Sequence, residues 1–182
     1  MFKFLMTGFF SLIILVQTGC STVTIKDYEQ TLPEFHIEDY FQGNTTAWGV
    51  FQDRFGKVRR TFTVDIKGEW DPENRLLILD EDFIYDDGQT EKRIWKIAKT
   101  SENTYEGSAG GVIGTAKGKS AGNAFHWRYD FNLPVEGSTW KVNFDDWLYK
   151  LNEETVFNKA VIRRWGIRLG DVYIFFKKRP DN

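Results

Sequence analysis

Adjacent acids are the most conspicuous chemical feature of this sequence: Asp80-Glu81-Asp82, Asp86-Asp87 and Asp145-Asp146. Two carboxyls at a suitable separation can hydrolyse glycosides, and clustered oxygens can hold calcium. Neighbours on a strand, however, point to opposite faces, so adjacency alone makes no dyad. Turn chemistry accounts for Asp86-Asp87-Gly88. His36 and His126 are the only histidines, and no cysteine or second histidine completes a metal-ligand spacing around either. Both are expected on the solvated surface. Gly118-Lys119-Ser120 imitates a phosphate loop, but Ile113 stands where that loop needs its first glycine. These patterns assign no catalytic residue, no metal and no cofactor.

Charges that share a face with large apolar side chains are more informative. Arg60, Glu81 and Arg93 each interrupt an otherwise hydrophobic phase. An isolated buried charge is too costly to keep, so these three must pair or face a wet cavity. Arg60 and Glu81 flank the turn Asp71-Pro72-Glu73-Asn74 and are expected to meet across it as a salt bridge. Such charges either close one end of the fold as a structural pair or anchor the polar head of an apolar ligand. Trp95, Trp127, Tyr129 and Phe131 would line that pocket, or would simply fill it.

The elements that must position these residues are strands. From Val58 to Trp70 the even positions read Val, Arg, Phe, Val, Ile, Gly, Trp against a polar odd phase, the alternation of a half-buried strand. Leu76–Tyr85, Glu91–Lys99 and Ala124–Leu133 repeat the pattern, and Thr45–Phe55, Val156–Trp165 and Val172–Lys178 extend it. Thr104–Ala116 is glycine-rich, which marks bulges or close backbone approach. In Trp140–Leu151 the phase of Trp140, Val142 and Phe144 is opposite to that of Trp147 and Tyr149, so a bulge is expected at Asp145-Asp146. About eight to nine antiparallel strands in sequence order, rich in aromatics and free of a long amphipathic helix, predict an all-β up-and-down barrel over residues 35–182. A two-sheet sandwich is the alternative, disfavoured by the meander spacing and the missing Cys-Trp-Cys framework.

Cys20, the only cysteine, belongs to a different chemistry. Lys3 precedes an apolar run from Phe4 to Val16, and Thr18-Gly19 lead into Cys20. That is the layout of an export signal, too short to span a bilayer. Its Gly-Cys ending resembles the lipobox of bacterial lipoproteins, although Gln17 departs from the usual leucine. The resemblance implies cleavage before Cys20, acylation of its thiol and new amino group, and a membrane partner reached through those acyl chains. Several acyl chains give the stable anchoring that a single chain does not. Ser21 in place of an aspartate implies the periplasmic face of the outer membrane. Cleavage would remove residues 1–19 and leave 163 of 182, with residues 20–34 as lipidated N-terminus and polar tether. The removed segment carries Lys3 and no acid, so the mature chain would hold 23 basic against 26 acidic side chains, a net charge of −3. No basic excess exists for nucleic acid, and membrane association is expected from the anchor alone.

Gly43, Trp48-Gly49, Asp53-Arg54-Phe55-Gly56, Tyr85-Asp86-Asp87-Gly88, Gly122-Asn123-Ala124, Asp145-Asp146-Trp147 with Tyr149, and Trp165-Gly166 to Gly170 occur in that order. This series resembles the bacterial lipoprotein family known as domain of unknown function 3833. The resemblance implies a lipocalin-like, calycin-type barrel and supplies no activity. Two functions compete on this basis. One is an outer-membrane-anchored lipoprotein binding a fatty acyl or other small apolar ligand through Arg60, Glu81, Arg93, Trp95, Trp127 and Tyr129. The other is a non-catalytic interaction module with a filled barrel acting through a surface patch; an enzyme ranks behind both. Replacing Cys20→Ala should release the protein from the membrane fraction or leave the precursor uncut. Recovery of the unaltered protein wholly in the soluble periplasm would refute the anchor.

Overall fold

The computed structural model describes residues 23–180 apart from Glu136; the expected signal segment and Cys20 lie outside the described residues. Ten antiparallel strands form one closed barrel. They are β1 (Gly43–Asp53), β2 (Val58–Asp71), β3 (Leu76–Tyr85), β4 (Thr90–Lys99), β5 (Thr104–Ser108), β6 (Val112–Ala121), β7 (Ala124–Val135), β8 (Ser138–Lys150), β9 (Thr155–Arg164) and β10 (Ile167–Lys178). Each pairs with its neighbours in sequence, and β1 pairs with β10 from Thr45↔Lys178 to Asp53↔Gly170 to close the ring. The up-and-down barrel is therefore present with one strand more than the alternation suggested. The extra strand comes from the glycine-rich stretch, which turns back at Ala109–Gly111 instead of running through.

A second difference concerns β8. Its ladder with β7 runs from Ala124↔Tyr149 to Val135↔Ser138 without a register shift. The expected bulge at Asp145-Asp146 does not exist. Instead the inward phase of Val142 and Phe144 continues through Asp146 and Leu148, which face the interior. Trp147 and Tyr149 point outward and are covered by Tyr28, whose ring lies 5.7 and 5.5 Å from theirs. Tyr28 ends a short 3-10 helix, Ile25–Tyr28. Farther along, Thr31 Oγ1 hydrogen-bonds Asn123 Oδ1 at 2.7 Å. Within residues 20–34, expected as lipidated N-terminus and tether, Ile25 to Thr31 pack on the outer wall, because outward aromatics gain by losing water.

One end of the barrel is floored by α1 (Ile37–Phe41), whose Ile37, Tyr40 and Phe41 are buried with Phe35 against the inner side chains. Polar ties hold it, among them the Tyr40 hydroxyl donating to the Glu154 carbonyl at 2.9 Å. Lys99 Nζ pairs with Glu38, and Tyr105 donates from its hydroxyl to the other carboxylate oxygen at 2.9 Å. Lys178 Nζ caps the helix end at the carbonyls of Tyr40 and Gln42, 2.9 and 2.7 Å away. Phe41 can approach β2 only because position 68 is glycine: a Cβ there would stand 1.7 Å from the Phe41 carbonyl oxygen. Gly68→Ala must therefore push the helix off the floor. Overpacking of this kind costs about 1–3 kcal/mol, read as a lowered urea midpoint. Gly110→Ala, with nothing within 4 Å of its added Cβ, should leave that midpoint unchanged.

Candidate functional site

Inside the closed ring lies a cavity of about 440 Å³, running from Ile37 and Phe41 at the floor to Leu133, Pro134 and Val135 near the opposite rim. The strand phases read from the sequence are those that line it. Arg60, Phe62, Val64 and Ile66 come from β2, Leu79, Glu81, Phe83 and Tyr85 from β3, and Arg93, Trp95 and Ile97 from β4. Phe125, Trp127 and Tyr129 come from β7. Trp95 packs edge-on against both Trp127 and Tyr129, with ring centroids 5.7 and 5.4 Å apart. Trp127 has room because position 118 is glycine, where a Cβ would stand 2.2 Å from the indole. The glycine-rich stretch thus makes space for an inward tryptophan.

A band of polar groups crosses this apolar interior. Arg93 sits directly across the β3–β4 ladder from Glu81. Its guanidinium reaches Glu91 at 2.6 Å and lies 4.7 Å over the Phe83 ring, while its Nε is buried with no partner. Burial pushes the Glu81 carboxyl up to about 7 against the pull of Arg93, and no hydrogen bond from the described residues holds it. Across the cavity, burial likewise pushes Asp146 up to about 7; Asp145 adds to the shift and a hydrogen bond from Asn158 opposes it. Burial raises the Tyr129 hydroxyl well above its ordinary value, and Asp146 and Glu81 add to the effect. At neutral pH the two acids are poised between hydrogen-bond donor and charged acceptor.

The expected Arg60–Glu81 salt bridge is absent. Asp71 stands opposite Leu76 at the turn, which places Glu81 opposite Ile66 and carries Arg60 beyond the end of the paired stretch at Phe62↔Tyr85. Arg60 instead bonds Asp87 and Gln89, each at 2.9 Å, with its guanidinium 3.5 Å over the Tyr85 ring. It sits at the rim, not beside Glu81. The turn acids Asp86-Asp87 serve the hairpin and this arginine. His126 is not a solvated surface residue either: its ring stacks on Trp147 at 4.0 Å and Nε2 lies 2.9 Å from Asp145. Burial lowers its pKa, Asp145 working in the opposite direction. Asp146, expected only as half of an adjacent acid pair at a bulge, lines the cavity, as does Asn158. Unbroken alternation from Trp140 to Lys150 would have placed Asp146 inward.

The raised acids couple stability to pH. Between about pH 4.5 and 7 the folded chain keeps protons on Glu81 and Asp146 that the unfolded chain has released. The unfolding free energy must therefore fall as pH rises through that window, by up to roughly 3 kcal/mol per group. Glu81→Gln should flatten the fall, so that the variant gains on the parent at pH 8 and matches it near pH 4. Parallel urea-midpoint profiles for the two proteins would contradict this.

The structure is similar to the S-type phycobiliprotein lyase from Guillardia theta, with a TM-score of 0.57 and 7% identity over 88% of this chain and 100% of the other. It is also similar to a protein of unknown function from the DUF3598 family of Nostoc punctiforme PCC 73102, with a TM-score of 0.56 and 10% identity. That match covers 81% of this chain and 51% of the other. At such identities the likeness shows a shared lipocalin-like barrel. No curated protein matches the sequence. The model for the family described as protein of unknown function (DUF3833) matches residues 14–178, and the chain belongs to that family.

Proposed function

We propose that this protein is a lipoprotein, held by acyl chains on Cys20 at the periplasmic face of the outer membrane, whose barrel takes up an elongated apolar ligand with a polar head. The observation that carries the proposal is the interior itself. It is a cavity of about 440 Å³, walled by aromatic side chains and crossed by Arg93, Glu81, Asp146 and Tyr129. Ligand pockets are typically about 300–1,000 Å³, mostly apolar, with a few placed polar groups. A barrel serving only as a scaffold gains nothing from holding two acids in this interior, where their ionisation is opposed. Arg93 and Arg60 both line the cavity and carry guanidinium N–H groups suited to a carboxylate or phosphate, and the Nε of each has no partner among the described residues. A fatty acid or lysophospholipid meets this description, its chain along Trp95 and Trp127 and its head at the arginines. The barrel likeness to a phycobiliprotein lyase supports a small-ligand role without naming the ligand.

The test is tryptophan emission during titration with fatty acids and lysophospholipids of graded chain length. Saturable change is expected, weakened in Trp127→Ala and, for ligands with anionic heads, in Arg93→Gln. A flat response at every chain length would leave the interaction-module alternative in its place.

A further inference from the structure

Two hairpin ends at the rim opposite α1 play no part in lining the cavity: residues 53–59 between β1 and β2, and 163–171 between β9 and β10. They are neighbours because β1 pairs with β10, and Arg54 N donates to Leu169 O at 2.9 Å. On them stand the two most exposed aromatic side chains among the described residues, Phe55 at 79% and Trp165 at 84%, with Val58 and Ile167 also exposed. Trp165 is doubly anomalous. It has φ 52 and is followed by Gly166 at φ 79, the two left-handed positions of a two-residue hairpin where Asn, Asp or Gly is favoured. A bulky side chain there is strained, and its exposure returns nothing to the core. Neither turn chemistry nor burial accounts for it.

The charge around these tips is the reverse of the chain's own. The sequence carries −2 overall, yet residues 53–59 and 163–171 hold Arg54, Lys57, Arg59, Arg163, Arg164 and Arg168 against only Asp53 and Asp171. Both acids are already engaged, Asp53 by Arg59 at 2.5 Å and Asp171 by Arg168, and Arg163 lies 3.8 Å from Asp145 on the outer wall, which leaves Arg54, Lys57 and Arg164 as the tips' unmatched cations among the described residues. Arg54 lies 4.8 Å over the Phe55 ring, and Arg164 lies 4.2 Å from the rings of both Trp140 and Trp165. Aromatic tips that can enter the acyl boundary, each backed by a guanidinium at phosphate depth, are the composition of an interfacial membrane contact. Each Lys or Arg near an anionic leaflet adds about 1 kcal/mol, and the net charge of the whole chain conceals this local excess.

We propose that these two hairpin ends dock the rim of the barrel onto a phospholipid surface carrying anionic headgroups. The tips lie on separate turns, which suits a deformable bilayer better than a rigid protein groove. The acyl anchor proposed on Cys20 would fix the barrel at one point only. Cys20 lies three residues before Val23, about 10 Å at full extension, and Val23 borders a groove on the outer wall beside Asp130 and Asn143. The hairpin ends supply the missing orientation and turn the cavity's upper end towards the lipid. Docking does not depend on the cavity being occupied.

The experiment uses the full-length acylated chain reconstituted into vesicles of phosphatidylethanolamine and phosphatidylglycerol with brominated acyl chains. Comparing the parent with Trp165→Phe isolates the emission of that one indole. Bromine should quench the Trp165 contribution, less so without phosphatidylglycerol or at high salt, and Phe55→Ser should reduce the quenching with Trp165 intact. Both variants alter exposed side chains, so their circular dichroism should match the parent's. Equal quenching in the parent and Trp165→Phe in both lipid mixtures would overturn the proposal and assign the tips to a protein partner. Failure of the fatty-acid titration with Trp165 still quenched would overturn the ligand proposal alone.

Discussion

The hydrogen-bonded seam between β1 and β10 is the contact on which the rest of this molecule depends. It removes the last two free sheet edges, which would otherwise template association with other chains. It also fixes the volume inside. Eight strands leave a core that side chains just fill, and the diameter grows with strand number. Ten strands leave space that even this chain's tryptophans and phenylalanines do not close. The cavity is thus a consequence of ring size, and each strand's inward phase becomes its lining.

Ring closure also decides how the buried acids are treated. At the floor, burial pushes Glu38 up, but Lys99 and Tyr105 outweigh it and hold the carboxyl below its ordinary value. That acid is a latch, charged and satisfied. Glu81 and Asp146 meet the same low dielectric without a cation in hydrogen-bonding reach, and theirs rise to about 7. One solution ties a helix to the barrel floor. The other leaves Glu81 without a hydrogen bond among the described residues and Asp146 with one from Asn158.

The two ends of the barrel differ for related reasons. At one end α1 replaces water over the apolar floor, and the cap by Lys178 satisfies carbonyls that would otherwise be stranded. At the other, no helix among the described residues covers the rim, where Arg60 sits paired with Asp87 and about a third exposed. A plugged floor and an uncovered rim give the cavity a direction.

Much of this was legible in the chain. Period-two alternation in β2, β3, β4 and β7 specified the strands and which residues face inward, because side chains on a strand have only two directions to choose from. That is why Arg60, Glu81, Arg93, Trp95, Trp127 and Tyr129 could be named as lining residues. Alternation is silent about what stands opposite, and cross-strand partners depend on register: Glu81 faces Arg93 and Ile66, and Arg60 reaches Asp87. Asp146 was hidden because Trp147 and Tyr149, large and aromatic, looked like core; they are covered from outside by Tyr28, a contact across more than a hundred residues. Local sequence thus determined the strands and their faces. Only closure of the ring decided the register, the plug, the cavity and the titration of the acids within it, because those depend on groups that are distant in the chain and adjacent only once the barrel has closed.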